Sequence, residues 1–373
     1  MRGLTQISRR GSEAPPAPLA LAGPLDVGLV LTHACNLACS YCYTGEKKRV
    51  RMSEALGHRA IEQAIDLARA AGTALQVSFF GGEPLLEREL LVELASTARA
   101  RAQACGVALT LQVTTNGTLL DDAIVSALGE LGVHVAISID GTGAQHDALR
   151  PRSGGGPSHA ACMRGLTALL AQRERWPFDV ISVVDPRTVA GLAEGVIDLL
   201  DRGVEAITLN MNWGGPWDDG SLASFEQQLE RVAAVFLAWL RRGRWCRIQP
   251  LESSLHMLAD RGELLPAHCG AGSRRLAVAP SGRLYGCTRA VGEDTGEGAI
   301  GHLDDGLAPR VPPPGADVRA CSCARREETG DVAVVGRVQL RHDEALARVA
   351  RRVAAVIEAE FESIHIVERG PAP

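Results

Sequence analysis

The chain reads as an α/β protein, a partial (β/α)6 barrel over residues 25–245 followed by a small C-terminal β-hairpin domain over 246–330. Three observations predict this. Six short β-rich runs recur, each followed by a stretch with helical spacing, and such alternation builds a sheet with helices packed on it. The runs are almost continuously apolar, as parallel strands covered by helices are. Six units fall short of the eight that close a barrel, so the sheet is expected to stay open.

Taken in order, residues 1–24 are rich in Pro, Gly and Ala, lack the apolar stretch of a signal peptide, and read as a flexible arm. Strands are expected at 26–32, 74–80, 109–115, 133–139, 178–184 and 205–211. Helices are expected at 53–71, 87–104, 121–131, 158–174, 188–202 and 221–242, where apolar residues recur at i, i+3 and i+4. Ser53, Asp121 and Ser158 stand where N-caps belong. Beyond residue 245 the spacing predicts a helix over 251–262, and then two short strands about Pro280-Ser281-Gly282. A Pro-rich connection covers 307–317, and residues 331–373 form a tail with an amphipathic helix from Glu344 to Glu362.

A net charge of -5 with 22% charged residues gives no basic surface for nucleic acid, and no stretch approaches the roughly 20 apolar residues of a membrane span. The short basic run Lys47, Lys48, Arg49 and Arg51 reads as a solvated turn. A reducing cytoplasm is the default compartment, where ten cysteines argue for metal or catalysis rather than disulfides.

In a barrel of this kind the C-terminal ends of the strands build the active site. Those ends carry His33 to Cys42, Gly81-Gly82-Glu83-Pro84, Thr115-Asn116-Gly117, Ser138 to Asp140 and Asn210 to Trp213. Cys35, Cys39 and Cys42 lie within eight residues. Zinc takes four ligands, or three and a water; His33 is the only nearby fourth, and a strand end gives it no obvious geometry. Iron–sulfur clusters are held by thiolates, and a four-iron cluster on three cysteines keeps one iron open.

Cys-x3-Cys-x2-Cys after the first strand, with Tyr41 before the third cysteine, resembles the radical S-adenosylmethionine (SAM) superfamily. "GGEP" after the second strand, "TTNG" after the third, "SIDG" after the fourth and "HDALR" at 146–150 follow the same pattern. The resemblance implies a 4Fe–4S cluster on Cys35, Cys39 and Cys42 whose open iron chelates SAM and yields a 5'-deoxyadenosyl radical. It further implies that Gly81, Gly82 and Glu83 receive the cofactor's ammonium and that Arg150 meets its carboxylate. Asn116, Ser138 and Asp140 are expected near its ribose and methionine.

Cys269, Gly282 and Cys287, followed by Cys321 and Cys323, resemble the auxiliary-cluster domain of the SPASM/Twitch branch. One auxiliary 4Fe–4S cluster is implied, closed by four thiolates and suited to passing or accepting electrons. The final Cys-x-Cys departs from the usual Cys-x2-Cys, so Cys246 is an alternative ligand and a four-cysteine zinc site an alternative metal. Cys105 and Cys162 read as buried apolar residues, the reading favoured for Cys246 as well.

The branch implies oxidative modification of a ribosomally made peptide, by crosslinking or a related C–H functionalisation. Alternatives are formylglycine formation on a sulfatase, dehydrogenation of a small molecule, or a silent metal-binding scaffold. A ferredoxin or flavodoxin is the implied electron donor. The arm is too short for a folded leader-recognition domain, so a separate recognition protein, or the barrel and tail themselves, would grip the precursor. Trp213 and Trp217 are expected on a loop over the barrel mouth, packing a substrate side chain or plugging the end. For a proton acceptor the sequence offers only Asp185, Asp218, Asp219 and His256.

Overall fold

The computed structural model describes residues 23–264, 270–308, 328–329 and 335–360. Residues 1–22 of the arm, Cys269, Cys321, Cys323 and most of the Pro-rich connection lie outside them.

The strand–helix alternation runs β1 (Leu25–Val30), α1 (Glu54–Ala71), β2 (Leu75–Phe80), α2 (Arg88–Cys105), β3 (Leu109–Thr115), α3 (Asp122–Glu130) and β4 (Val133–Ser138). It continues with α4 (Gly143–Leu149), α5 (His159–Ala171), β5 (Phe178–Val184), α6 (Leu192–Asp201), β6 (Ala206–Met211) and α7 (Asp219–Arg241). All six expected strands are present and pair in parallel with their sequence neighbours. Ser53 and Asp121 cap α1 and α3 through their side chains. Ser158 precedes α5 but makes no side-chain cap; Asp147 Oδ1 instead accepts from the N–H groups of Ser158 and His159.

Past residue 245 the chain stays with the same sheet. A three-residue strand, β7 (Arg247–Gln249), adds in parallel to β6, and α8 (Leu251–Arg261) follows. The hairpin of β8 (Arg275–Val278) and β9 (Arg283–Tyr285) turns at Gly282, whose φ of +88 favours glycine. β8 then pairs in parallel with β1 on the edge away from β2, and β10 (Gly301–His302) extends β9. The result is one open sheet, ordered β10-β9-β8-β1-β2-β3-β4-β5-β6-β7. α9 (Arg337–Glu360) packs on α7 and α8. Among the described residues no helix is long and apolar enough to cross a membrane.

Side chains alternate across each strand. Leu25, Val27 and Leu29 of β1 join the main core with α1 and α2, whereas Val30 points the other way and packs with Ala277, Ala279, Tyr285 and Val291. The hairpin thus extends the sheet beside β1, and Val291 beyond it packs on the inner face there. Tyr285 is fully buried there, and its hydroxyl donates to Asp294 Oδ1 at 2.9 Å.

Tyr285→Ala is accordingly expected to destabilise the whole chain by about 3–5 kcal/mol in urea. Tryptophan fluorescence reads this cleanly, because all five tryptophans lie between 176 and 245. An unshifted fluorescence transition would show that the hairpin folds apart from the barrel.

Candidate functional site

The three cysteines sit on the loop that leaves β1, all half-buried and outside any disulfide. Burial pushes the Cys35 thiol up to about 11 and raises Cys39 as well. Cys42 differs: burial acts upward, but hydrogen bonds from Lys47 and Thr44 outweigh it and lower its pKa. The raised thiols of Cys35 and Cys39 are poor nucleophiles at neutral pH and would become thiolates when a metal supplies the charge. Among the described residues no three His, Cys, Asp or Glu groups converge on a single-ion position. A four-iron cluster asks for something else, one thiolate on each of three irons, and three unpaired, half-buried cysteines on one loop are the donors it takes.

The loop rests on the "GGEP" turn. Gly82 N and Glu83 N donate to the carbonyls of Thr32 and Ala34 at 2.8 and 2.9 Å. A Cβ on Gly82 would stand 2.3 Å from the Ala34 oxygen, and one on Gly81 2.5 Å from that of Thr32. Glycine is needed here to bring two backbones together.

Glu83 is fully buried, and its carboxylate accepts from Leu85 N (3.0 Å), Thr115 Oγ1 (2.7 Å) and Asn116 N (2.8 Å). Burial raises its pKa against those hydrogen bonds. Asn116 is equally committed: Nδ2 donates to Asn36 Oδ1 at 2.8 Å and approaches Cys35 Sγ at 3.9 Å, while Oδ1 accepts from Thr118. Both side chains hold the cysteine loop in place.

Tyr41, Asp140 and Arg150 form a buried triad. Asp140 accepts from the Tyr41 hydroxyl and, at 2.9 Å, from Val183 N; its Oδ1 lies 3.5 Å from Arg150 Nη1, which donates to Tyr41 at 2.8 Å. Burial raises the Asp140 pKa, with Arg150 opposing. Arg150 Nε is buried with no hydrogen-bond partner. His146 is buried and neutral, its pKa lowered to about 3 by burial and then by Arg150; it accepts from Asp140 N and meets Ser158 Oγ at 3.1 Å. Ser138 is buried at the end of β4.

Of the four proton-acceptor candidates, three are already engaged by protein partners. Asp185 is fully buried, gripped at both oxygens by Arg187 at 2.7 Å and by Asn212 at 2.8 Å, so that burial is outweighed and its pKa is lowered. Asp218 caps α7 by accepting from Ser221 N, and Asp219 pairs with Arg337 on the surface. His256 stands on α8 beside Glu252.

Three further residues carry more than the sequence suggested. Arg187 Nη2 donates to Ser40 Oγ at 2.9 Å, tying the cysteine loop to the end of β5. Lys47, expected in a solvated turn, reaches Cys42 Sγ at 2.8 Å. His33 is 3% exposed with Nε2 unpartnered, facing a slot lined by Tyr43, Phe80, Gly81, Thr288 and Val291. At about 10 Å³ the slot has room for roughly one water. The tryptophans belong to a wall: Trp213 stacks edge-on to His342 of α9, and Trp217 donates to Asn212 O at 2.7 Å.

Of the second cysteine set only Cys287 falls within the described residues, buried at the end of the hairpin. Cys246 is fully buried before β7, and Cys162 is buried in α5, as expected; Cys105, at the end of α2, is half-buried.

The family profile of the Radical SAM superfamily matches residues 29–181. A PqqA peptide cyclase of Gluconobacter oxydans is 30% identical over 72% of this chain and 71% of its own length. A serine-type anaerobic sulfatase-maturating enzyme of Klebsiella aerogenes is 27% identical over 73% of this chain and 67% of its own. The chain spans between 61% and 71% of the length of the curated relatives it matches first. Among solved structures, native anSMEcpe with bound AdoMet and Cp18Cys peptide superposes with a TM-score of 0.73, covering 90% of this chain and 99% of that one. At 17% identity that likeness speaks for the fold.

Gly82→Ala should lower stability by about 1–3 kcal/mol, because backbone oxygens cannot rotate away. Gly154→Ala, with nothing near its Cβ, is the control and should stay within about 0.5 kcal/mol. Asp140→Asn strips the buried Arg150 of its counter-charge and is expected to cost about 3–5 kcal/mol. Urea titrations of the three variants measure both; a loss under about 1 kcal/mol for Asp140→Asn would mean that water compensates the arginine.

Proposed function

Because the chain belongs to the radical SAM superfamily, we propose that it is an enzyme that oxidatively modifies a ribosomally synthesised peptide, using a 4Fe–4S cluster on Cys35, Cys39 and Cys42. One observation carries this reading. The buried carboxylates of the rim, on Glu83, Asp140 and Asp185, are all taken up by protein donors, so the fourth iron is left to a ligand from outside, SAM. When bound, that cofactor supplies a 5'-deoxyadenosyl radical able to abstract a hydrogen atom from the substrate.

The residues of the rim take proposed roles from their geometry. Arg150 offers its unpartnered Nε to the cofactor's carboxylate. Gly81 and Gly82 line the cofactor's berth with backbone. Glu83 and Asn116 act one step removed, by holding the turn and the loop, and Ser138 and Asp140 close the wall on the β4 side. Cys287, with Cys269, Cys321 and Cys323, is proposed to hold the auxiliary 4Fe–4S cluster that takes up the electron released when the substrate is oxidised. A precursor peptide, a separate leader-recognition protein and a ferredoxin- or flavodoxin-type donor complete the proposed partners.

Two substrate readings stand. The similarity to a PqqA peptide cyclase favours a crosslink; the similarity to sulfatase-maturating enzymes favours formylglycine. Anaerobic reconstitution tests the shared chemistry. Two clusters' worth of iron per chain is expected, with part of the visible absorption lost in a Cys35/Cys39/Cys42→Ala triple variant, and 5'-deoxyadenosine forming only with reductant. Zinc without nucleoside would overturn the enzyme reading. Mass spectrometry of a short peptide encoded beside this protein and co-expressed with it separates the two products. A crosslink loses two hydrogens and blocks internal fragmentation, whereas formylglycine leaves an aldehyde that hydrazides trap.

A further inference from the structure

Beyond the three cysteines the loop runs on through Thr44 to Lys48, and there it is held from the hairpin side. Glu293 accepts from Glu46 N through Oε1 and from Lys48 Nζ through Oε2, both at 3.1 Å. Gly45 passes so close that a Cβ would stand 2.4 Å from Glu293 Cγ. With Glu46 and Lys48 both anchored, the residue between them is turned back toward the barrel. Lys47 Nζ lies 2.8 Å from Cys42 Sγ and also donates to Thr44 Oγ1, which is itself 3.2 Å from the same sulfur.

A lysine gives up much rotamer freedom when fixed, and its strongly hydrated ammonium is ordinarily left in water. Here it is directed at a sulfur. A cysteine that ligates iron is a thiolate, so this contact becomes a charge-assisted N–H···S hydrogen bond. Hydrogen bonds to the ligand sulfurs and net charge are among the levers that set the potential of an iron–sulfur cluster. Adding one electron makes the cluster more negative, and a fixed positive charge a few ångströms away stabilises that state more than the oxidised one.

We propose that Lys47 is a positioning residue that raises the reduction potential of the cluster on Cys35, Cys39 and Cys42, and that Glu293 holds it on Cys42 from the hairpin segment. The proposal rests on the reading that these three cysteines carry the cluster. The step it affects is a one-electron transfer, in which a low-potential ferredoxin or flavodoxin loses one electron and the cluster gains it. No bond forms or breaks in that step. Because the anchor belongs to the segment after Cys287, displacing that segment would move Lys47 and make the cluster harder to reduce.

The test is an EPR-monitored reductive titration of the anaerobically reconstituted full chain, in wild type, Lys47→Met, Lys47→Arg and Glu293→Gln. The relevant signal is the one that changes when SAM is added, since only a cluster with an open iron binds it. Lys47→Met is expected to keep its iron and to be about tenfold less reduced at a fixed potential, which is 59 mV for a one-electron couple. Lys47→Arg should restore most of the difference, and Glu293→Gln should fall between. An unchanged potential in Lys47→Met with the cluster intact overturns the proposal. If that variant loses its iron, an unchanged potential in Glu293→Gln overturns it instead. Failure of the wild type to assemble a SAM-responsive cluster overturns the reading of the site, a separate outcome.

Discussion

The rim of this barrel depends on the burial of one carboxylate. Glu83 is fully enclosed, and an ionised carboxylate without partners there would cost several kcal/mol. Three donors offset that cost, and their origin is what matters. Leu85 N comes from the turn itself, while Thr115 Oγ1 and Asn116 N come from the end of β3. The charge is satisfied only when β2 and β3 end in the register that sets Phe79 opposite Val113. Glu83 N and Gly82 N meanwhile donate to the chain leaving β1. One side chain thus sets the relative heights of three strand ends, immediately before Cys35.

That fixed point lets an irregular loop of some twenty residues, from Leu31 to Ser53, hold three thiols without secondary structure of its own. Ordering a residue costs about 1–2 kcal/mol of backbone entropy, so such a loop needs ties from several directions. Asn36 is tied to Asn116 and Thr118 at the end of β3, and Tyr41 to Asp140 and Arg150 beyond β4. Ser40 is tied to Arg187 after β5, and Glu46 to Glu293 after the hairpin. Each tie is a polar contact between residues distant in sequence. A site whose reactive groups are held this way needs little reorganisation when its ligands arrive.

The same distances explain what was legible beforehand. The six strands and their helices announce themselves by apolar runs and helical spacing, which are local signals, and so does the cysteine spacing. β7 is three residues long and carries no period to detect. The pairing of β8 with β1 joins residues some 250 apart, beyond any local pattern. Glu83 was placed correctly at the rim, but its commitment to Thr115 and Asn116 depends on strand register. Asp185 reads in the sequence as a solvent-facing or capping acid, because Asn212, which shares it with Arg187, lies 27 residues further on. Lys47 sits in a run of basic residues of which Arg49 and Arg51 are exposed, and the anchoring of Glu46 and Lys48 to Glu293 sets it apart.

The walls of the mouth are held in unlike ways. On the β5–β6 side, α9 presses His342 against Trp213 and Phe225, and the Trp217 indole N–H is held by Asn212 O. The Asn212 amide holds Asp185, Asp185 holds Arg187, and Arg187 reaches Ser40 beside Cys39. Aromatic rings engaged in that succession are a supporting wall, with little freedom left to adapt to a substrate side chain. On the β1–β8 side His33 keeps an unpartnered ring nitrogen in a slot between Gly81 and Thr288. A buried polar atom without a partner is costly unless water or a ligand satisfies it. The slot has room for about one water, so a single water suffices to complete the β1–β8 wall, where the β5–β6 wall is completed by its own side chains.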